Sequence, residues 1–272
     1  MTNHTQVVEI AGAGPAGLAA ALAVVRAGGH ACVYERRTDV GLRFHGDFQG
    51  LENWTTEGNV LDELDALGIL PEFEHTPFNE VTCFGPKGVE RQVRSQQPLF
   101  YLLRRGSDTG TLDTGLKRQA LAAGVEIRFG ETQRTLPNGG IVTEGPHRAD
   151  AIAAGYLFET DMADAAYAVV SDRLAAKGYA YLLICKGRGT LATCLFRDFH
   201  NERQYLQRCV DFFTEKVAVK MENARHFGGS GNFSLPRTAR KGDIVYAGEA
   251  AGFQDPLFGF GIRSALLSGA AA

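Results

Sequence analysis

The chain has 272 residues, of which 44% are hydrophobic and 22% charged, and its formal net charge is −3. This composition is that of a globular protein and excludes an intrinsically disordered chain. It gives no basic surplus for a nucleic-acid partner, and no run of like charges forms a tail. The length is near the upper size for one hydrophobic core, so two lobes that share a core are expected.

The five cysteines show no CxxC pair and are odd in number, which indicates buried free thiols in a reducing compartment. The apolar stretch 16–25 is too short to span a bilayer, and no basic segment precedes it as in a signal peptide. We therefore expect a cytoplasmic protein. The composition remains compatible with peripheral contact with a membrane surface.

The first predicted unit is a βαβ motif. Residues 6–11, "QVVEIA", form a short β-branched run, and an alanine- and leucine-rich helical stretch follows and stops at Gly28-Gly29. Residues 31–35, "ACVYE", are a second strand. A strand, a glycine turn, a helix and a parallel strand form a right-handed crossover.

Further helices and strands follow this unit. Residues 59–70 have the apolar stripe of an amphipathic helix, and Pro71 ends it. Residues 78–93 alternate around the turn "GPKG", which is typical of a hairpin. Residues 111–123 predict a helix and 125–129 a strand, so the first pattern resumes after an inserted hairpin.

The middle of the chain differs from this pattern. Residues 151–196 contain short strands separated by turns, which favours an antiparallel sheet. In "YAYLLIC" (179–185) both faces are apolar, so this strand is buried on both sides or lines a cavity. A helix is predicted over 199–222, and the strand "DIVYAG" (243–248) returns to the first pattern.

The predicted fold class is α/β with an α+β second lobe. A Rossmann-like domain is interleaved with a second domain built mainly on an antiparallel sheet. The expected boundaries are 1–75, 95–150 and 236–272 for the first domain, and 76–94 and 151–235 for the second.

The strongest local motif is Gly12-x-Gly14-x-x-Gly17, which follows a strand and opens a helix. Gly12 permits a tight turn, Gly14 lets a diphosphate approach the backbone, and Gly17 allows close helix–strand packing. The helix N-terminus offers free N–H groups to the diphosphate. Glu35, at the end of the next strand, can accept hydrogen bonds from ribose hydroxyls, and it would repel a 2′-phosphate. The motif predicts a dinucleotide site but does not distinguish NAD from FAD.

A second glycine-rich stretch, "GEAAGFQDPLFGFGIR" (248–263), decides between them. With the N-terminal motif it resembles the FAD-dependent family of the p-hydroxybenzoate hydroxylase type, which pairs GxGxxG with a late Gly-Asp motif, a proline and more glycines. The resemblance implies that Glu249 replaces the family's Asp and bonds the ribityl chain. It also implies that a helix beginning near Gly259 points its positive end at the flavin ring.

The stretch "LLRRGSDTGTLDTGLKRQALAAG" (102–124) resembles the family's Arg-bearing helix approach, which implies that Arg104 lies against the cofactor. Arg36 and Arg43 could reach phosphate or adenine, with plain solvation as the alternative. The predicted FAD-binding residues are therefore Gly12, Ala13, Gly14, Pro15, Ala16, Gly17, Glu35, Arg36, Arg43, Arg104, Gly248, Glu249, Pro256, Gly259, Phe260 and Gly261.

The second lobe is most similar to the geranylgeranyl reductase branch, whose substrate sheet carries a YxWxFP-type strand. Here the segment reads "GYAYLLICKGRGT" (178–190), with Leu183 and Ile184 in place of Phe-Pro. The resemblance implies that Tyr179, Tyr181 and Leu183 line a pocket for a small hydrophobic substrate.

The chain departs from the family pattern in two places. The Asp-Gly motif expected after Asp150 is replaced by "DAIAAGYLFETD" (150–161), which argues against a hydroxylase cycle. The sequence also stops at Ala272 inside a predicted helix, where relatives have further helices that close the pocket.

Other singled-out residues have ordinary explanations. Trp54, the only tryptophan, is expected to pack rather than stack on substrate. His45 and Asp47 are placed near the flavin by their position after the second strand, with loop structure an equal alternative. The histidines have no metal-site spacing, so no metal is predicted.

Three functions follow from these motifs. The first is a flavin-dependent reductase that delivers hydride to a carbon–carbon double bond of a prenyl-type substrate, fed by NAD(P)H or a ferredoxin-like donor. The second is an NAD(P)H-dependent monooxygenase acting on an aromatic compound. The third is a non-catalytic or truncated flavin-binding protein. No catalytic residue is assigned.

Overall fold

The structure is a computed structural model, and it describes residues 7–133, 135–145, 149–233, 238–255 and 259–272. The helices are α1 (Pro15–Arg26), α2 (Val60–Ala66), α3 (Leu112–Ala122), α4 (Glu202–Val217) and α5 (Ile262–Ala271). The strands are β1 (Val7–Ala11), β2 (His30–Glu35), β3 (Phe48–Glu52), β4 (His75–Phe78), β5 (Glu80–Phe84), β6 (Glu90–Arg94), β7 (Phe100–Arg104), β8 (Glu126–Phe129), β9 (Gly140–Val142), β10 (Ala151–Glu159), β11 (Ala165–Val169), β12 (Tyr179–Cys185), β13 (Arg188–Leu195), β14 (Glu222–Gly231), β15 (Arg240–Lys241) and β16 (Ile244–Tyr246).

The first lobe is built on a six-stranded sheet in the order β15-β16-β9-β1-β2-β8. The pairs β1–β2, β1–β9, β2–β8 and β16–β9 are parallel, and the βαβ unit predicted from residues 6–35 is present. Helix α1 covers this sheet and packs against α3 and α5. The resulting core is well filled, since four of its large side chains are 0% exposed: Ile10, Leu18, Leu116 and Leu266.

The second lobe is a seven-stranded sheet in the order β14-β10-β13-β12-β11-β5-β6. It is antiparallel except where β11 pairs with β5, so the predicted antiparallel middle region and the 78–93 hairpin are both confirmed. Helix α4 packs on one face, against Ala180, Leu182 and Ile184 of β12. It ends at Val217, earlier than predicted, because Ala218 takes a left-handed conformation (φ +52°).

A three-stranded antiparallel sheet, β3-β7-β4, lies between the lobes. One face of β7 joins the first core through Tyr101 and Leu103. The opposite face, with Phe100 and Leu102, joins an apolar cluster that includes Leu183 of the second lobe. This small sheet therefore fixes the two lobes against each other. Its strands are short, and β7 is buried along its whole length, so the sequence patterns did not reveal them.

Helices of the described segments are too short or too polar to cross a bilayer. All five cysteines are free thiols.

Candidate functional site

The glycine motif forms the turn between β1 and α1. Gly12 has φ +104°, which disfavours any side chain there. A Cβ on Gly17 would lie 1.9 Å from the Gly12 carbonyl oxygen, so Gly17 is required for close packing. A Cβ on Gly14 would meet no described protein atom within 4 Å. Gly14 therefore borders open space, at the N-terminus of a helix whose first turn no described side chain caps.

Glu35 lies beside this turn. Its Oε2 accepts a hydrogen bond from the Ala13 amide (3.0 Å), and its Oε1 accepts one from the Arg37 amide (2.9 Å). Two backbone donors hold the carboxylate at the C-terminal end of β2, next to the helix N-terminus. Arg36, its neighbour, is exposed.

The late glycine stretch packs directly on the first motif. Gly248 has φ +61°, and a Cβ there would lie 2.8 Å from the Cβ of Ala16 in α1. The Gly248 amide donates to Ser268 Oγ at 3.0 Å, which ties the turn to α5 as well. The structure thus brings together two motifs that are far apart in the sequence.

Glu249 follows in this turn and pairs with Arg43. Arg43 Nη1 lies 2.9 Å from Glu249 Oε2, and Arg43 Nη2 donates to the Ser230 carbonyl. Glu249 Oε1 accepts from the Asn232 amide at 2.8 Å. Ser230 belongs to β14 of the second lobe, so the two predicted cofactor residues also connect the lobes.

Arg104 is engaged elsewhere. Its guanidinium contacts Glu74 Oε2 at 3.0 Å and donates to the Thr109 carbonyl, and its side chain is 9% exposed. The neighbouring Arg105 pairs with Asp113 at 2.8 Å and lies over the Phe44 ring. Through these contacts both arginines support the loop between β7 and α3. The contacts that the structure describes for Arg104 do not include the glycine motifs.

Residues 259–261 approach the second lobe. Gly259 has φ +69°, and a Cβ there would lie 2.8 Å from the Tyr179 hydroxyl. Phe260 fills the space above Gly50 of β3, where a Cβ would lie 2.2 Å from its ring. Gly261 precedes α5 as its N-cap. Pro256, also a predicted cofactor residue, lies outside the described residues.

Tyr179, Tyr181 and Leu183 share the face of β12 opposite α4. The rings of Tyr179 and Tyr181 stack at 6.2 Å, and Tyr179 lies opposite Cys194 on the neighbouring strand. Burial raises the pKa of both tyrosines well above the ordinary value and that of Cys194 to about 12, so all three are protonated at neutral pH. This face is directed at the first lobe.

Asp47 and His45 lie at this same junction. Asp47 is 3% exposed, accepts from the His45 amide and the Gln49 side chain, and its charge helps raise the pKa of Tyr181. The His45 ring lies 6.3 Å from Phe227 of β14. Asp47 and His45, which follow the second strand in the sequence, therefore lie between the lobes.

The sequence patterns did not single out three residues that lie beside the glycine motif and Arg43, namely Thr143, Glu144 and Gly145. Thr143 Oγ1 donates to the carbonyls of Ala11 and Gly12. A Cβ on Gly145 would lie 3.2 Å from Arg43 Nη1. An acidic residue followed by glycine therefore does come shortly after a strand of the first lobe, β9. This pair precedes Asp150, whereas the motif was expected after Asp150. The β-branched pair Ile141-Val142 before it was the available signal.

Arg263 was also missed. It is 2% exposed, contacts Glu52 at 3.4 Å and Glu63 at 2.5 Å, and donates to Thr56 Oγ1 at 2.8 Å. These bonds anchor the start of α5 to β3, α2 and the loop between them.

No protein-family model matches the sequence, and a search of curated proteins gives no match. Solved structures do match in fold. A geranylgeranyl bacteriochlorophyll reductase-like protein from Thermoplasma acidophilum has a TM-score of 0.75 at 17% identity, over 97% of this chain and 76% of that one. The flavin-dependent brominase Bmp2 gives 0.68 at 15% identity, over 97% and 77%.

PqsL, described as a probable FAD-dependent monooxygenase from Pseudomonas aeruginosa, gives a TM-score of 0.67 at 15% identity, over 98% of this chain and 85% of that one. At such identities the likeness establishes the fold. That fold is the one found in flavin-dependent oxidoreductases, and the predicted fold class is confirmed.

Proposed function

We propose that this chain binds FAD and is a flavin-dependent oxidoreductase. The observation that carries the proposal is the convergence of three features on one edge of the six-stranded sheet. The N-terminus of α1 begins at Gly14, Glu35 bonds the Ala13 amide at 3.0 Å, and Gly248 packs on Ala16. A helix N-terminus suits a diphosphate, and a carboxylate beside it suits ribose hydroxyls.

The residues assigned to the cofactor divide by chemistry. The amides at the start of α1 would hold the diphosphate, and Glu35 the adenosine ribose. Glu249 would accept a hydrogen bond from the ribityl chain, with Arg43 as its charge partner. The turn at Gly259 and Gly261 would let the backbone approach the ring. Bound FAD supplies hydride transfer, which the side chains of this protein cannot perform alone.

The proposed reaction is reduction of a carbon–carbon double bond in a hydrophobic, prenyl-type substrate. The apolar face of Tyr179, Tyr181 and Leu183 supports it, because this face lies against Gly259 and Phe260 at the lobe junction. The fold likeness to the geranylgeranyl bacteriochlorophyll reductase-like protein is consistent with it. The electron donor is proposed to be a reduced nicotinamide or a ferredoxin-like protein.

A monooxygenase is the second candidate. It is favoured by the Glu144-Gly145 pair beside Arg43, since the apparent loss of an acidic–Gly motif was the argument against it. The fold likeness to PqsL is consistent with this alternative.

One experiment separates these possibilities. The purified protein is examined by visible spectroscopy, its extracted cofactor is identified, and its dithionite-reduced flavin is mixed anaerobically with geranylgeranyl diphosphate or geranylgeraniol. Reoxidation with formation of the dihydro product supports the reductase. Oxygen-dependent NADPH consumption stimulated by phenols, without anaerobic reoxidation, supports the monooxygenase. Bound FAD with neither activity indicates a flavin-binding protein, and a protein that cannot bind FAD refutes the whole proposal.

A further inference from the structure

A groove lies beside the three-stranded sheet, and its lining residues are not among the proposed cofactor residues. Its volume is about 340 Å³, within the range of small-molecule sites. Its apolar lining residues are Trp54, Pro98 and Leu99, and its polar lining includes Glu57, Gln96 and Gln97.

The Trp54 ring is available for contact with a ligand. The Trp54 ring meets the Phe260 ring edge to face, with 4.7 Å between centroids. Trp54 nevertheless remains 47% exposed, so packing does not account for the whole ring. An exposed indole in a groove offers a flat surface on which another ring can stack.

The groove is held in shape from behind. The Asn53 side chain donates to the Pro98 carbonyl at 2.9 Å and accepts from the Val60 amide at 2.6 Å. Thr56 is bonded to the buried Arg263. The backbone at Pro98 and the side chains of Asn53 and Thr56 are therefore held in place, which lowers the cost of ordering this part of the groove around a ligand.

The groove adjoins the apolar cluster at the lobe junction. Leu99 lines the groove and belongs to this cluster, together with Phe260, Phe100 and Leu183. An apolar substituent on a ring at Trp54 would therefore lie against Leu99 and Phe260.

The charge of the groove limits its ligand. Among the described lining residues Glu57 carries the charge, and the other polar groups are amides and hydroxyls. A carboxylate or phosphate ligand would be repelled, whereas a neutral ring with hydroxyl, carbonyl or amide substituents could bond the glutamines.

We propose that this groove binds the neutral, flat ring of a substrate that carries an apolar substituent. The proposal rests on the proposed function for the meaning of "substrate", and it names the substrate class as a neutral ring with such a substituent.

Trp54 is the only tryptophan and lines the groove, so its fluorescence reports on ligand binding there. The full-length protein is titrated with 4-hydroxybenzamide and with its anionic counterpart 4-hydroxybenzoate. We expect saturable quenching by the amide and binding of the benzoate that is about fivefold weaker, because of Glu57. Glu57→Gln should remove that difference.

Gln97→Ala should weaken binding of the amide, whereas Gln92→Ala, another exposed glutamine on the neighbouring strand β6, should not. Absence of saturable quenching, or equal effects of the two glutamine variants, overturns the proposal. A Trp54 signal that changes on dilution without a probe shows that a second copy of the chain covers the groove, which also overturns it.

The flavin content of each preparation is read separately from its visible spectrum. Saturable probe binding by a protein that cannot bind FAD supports the ring site and refutes the flavin proposal. A flavin-loaded protein that fails to bind the probe refutes the ring site alone.

Discussion

Two glycines of one motif should behave in opposite ways when they are enlarged. Gly17 faces backbone: its added Cβ would lie 1.9 Å from the Gly12 oxygen and 2.7 Å from Thr143 Oγ1. Gly14 faces space that no described protein atom occupies within 4 Å. Gly17→Ala should therefore damage folding, and Gly14→Val should damage cofactor binding.

The magnitudes follow from these distances. Because the Gly12 oxygen is a backbone atom, the turn itself must move, which costs about 3 kcal/mol in a packed core. The helix propensity of alanine returns about 1 kcal/mol, so the expected net loss for Gly17→Ala is about 2 kcal/mol. This corresponds to a fall in Tm of about 5 °C for a chain of this size. Gly14→Val should cost no more than about 1 kcal/mol, the usual effect at a helix N-cap.

The assay compares the melting temperatures of flavin-free protein with FAD affinities from fluorescence titration. For Gly14→Val we expect near-native melting and FAD binding weakened more than about 100-fold, equivalent to about 2.7 kcal/mol. Gly85→Val, in the hairpin turn after β5, is the control because its added Cβ also meets little (3.9 Å to the Val89 oxygen). Full FAD binding by folded Gly14→Val would refute the diphosphate assignment, and native stability of Gly17→Ala would refute the packing argument.

Three further changes test other contacts. Arg263→Met should lower the free energy of unfolding, measured by calorimetry, by about 3–5 kcal/mol, since it leaves the buried Glu52 without its ion-pair partner. The double variant with Glu52→Gln should recover part of that loss, and full stability of the single variant would contradict the inferred role. Burial raises the pKa of Tyr181 above its ordinary value of 10.0, so its contribution to stability is complete below that pH and is lost as pH rises further. The free energy of unfolding, measured with denaturant, should therefore fall less above pH 10 in Tyr181→Phe than in the unchanged protein. Identical pH profiles of the two proteins would argue against this role of Tyr181. Glu249→Asp retracts the carboxylate from Arg43 and should weaken FAD binding about tenfold, equivalent to about 1.4 kcal/mol; unchanged affinity would remove Glu249 from the site.

Much of the fold could be predicted because its signals are local. The βαβ unit, helix α3 and the central strands β10 to β13 have strong periodicity, and each lies where the patterns placed it. Strand β14 was missed because it is polar and glycine-rich, and its strand character comes from pairing with β10. Sequence pattern alone does not report such a partner.

The site could be predicted only where a motif is continuous. Gly12 to Gly17 and Gly248 to Gly261 are visible as motifs, but the ion pair of Arg43 with Glu249 spans 206 positions. Arg263 and Glu52 are 211 positions apart. Such pairs are determined by how the sheets meet, which no local window contains. The cofactor contact of Arg104 stays a prediction from its local pattern, and that pattern did not indicate the ion pair that its guanidinium forms with Glu74.

The strand order of the first lobe has a consequence for biosynthesis. Strand β9 lies between β1 and β16 in the sheet, yet β16 is translated after every strand of the second lobe. During translation β9 therefore presents an open parallel edge while strands β10 to β14 of the second lobe emerge from the ribosome. An open edge of this kind invites mispairing and aggregation. The nascent chain should accordingly depend on chaperones until residues 244–246 close the sheet, and truncations before that point should be insoluble even though they retain the glycine motif.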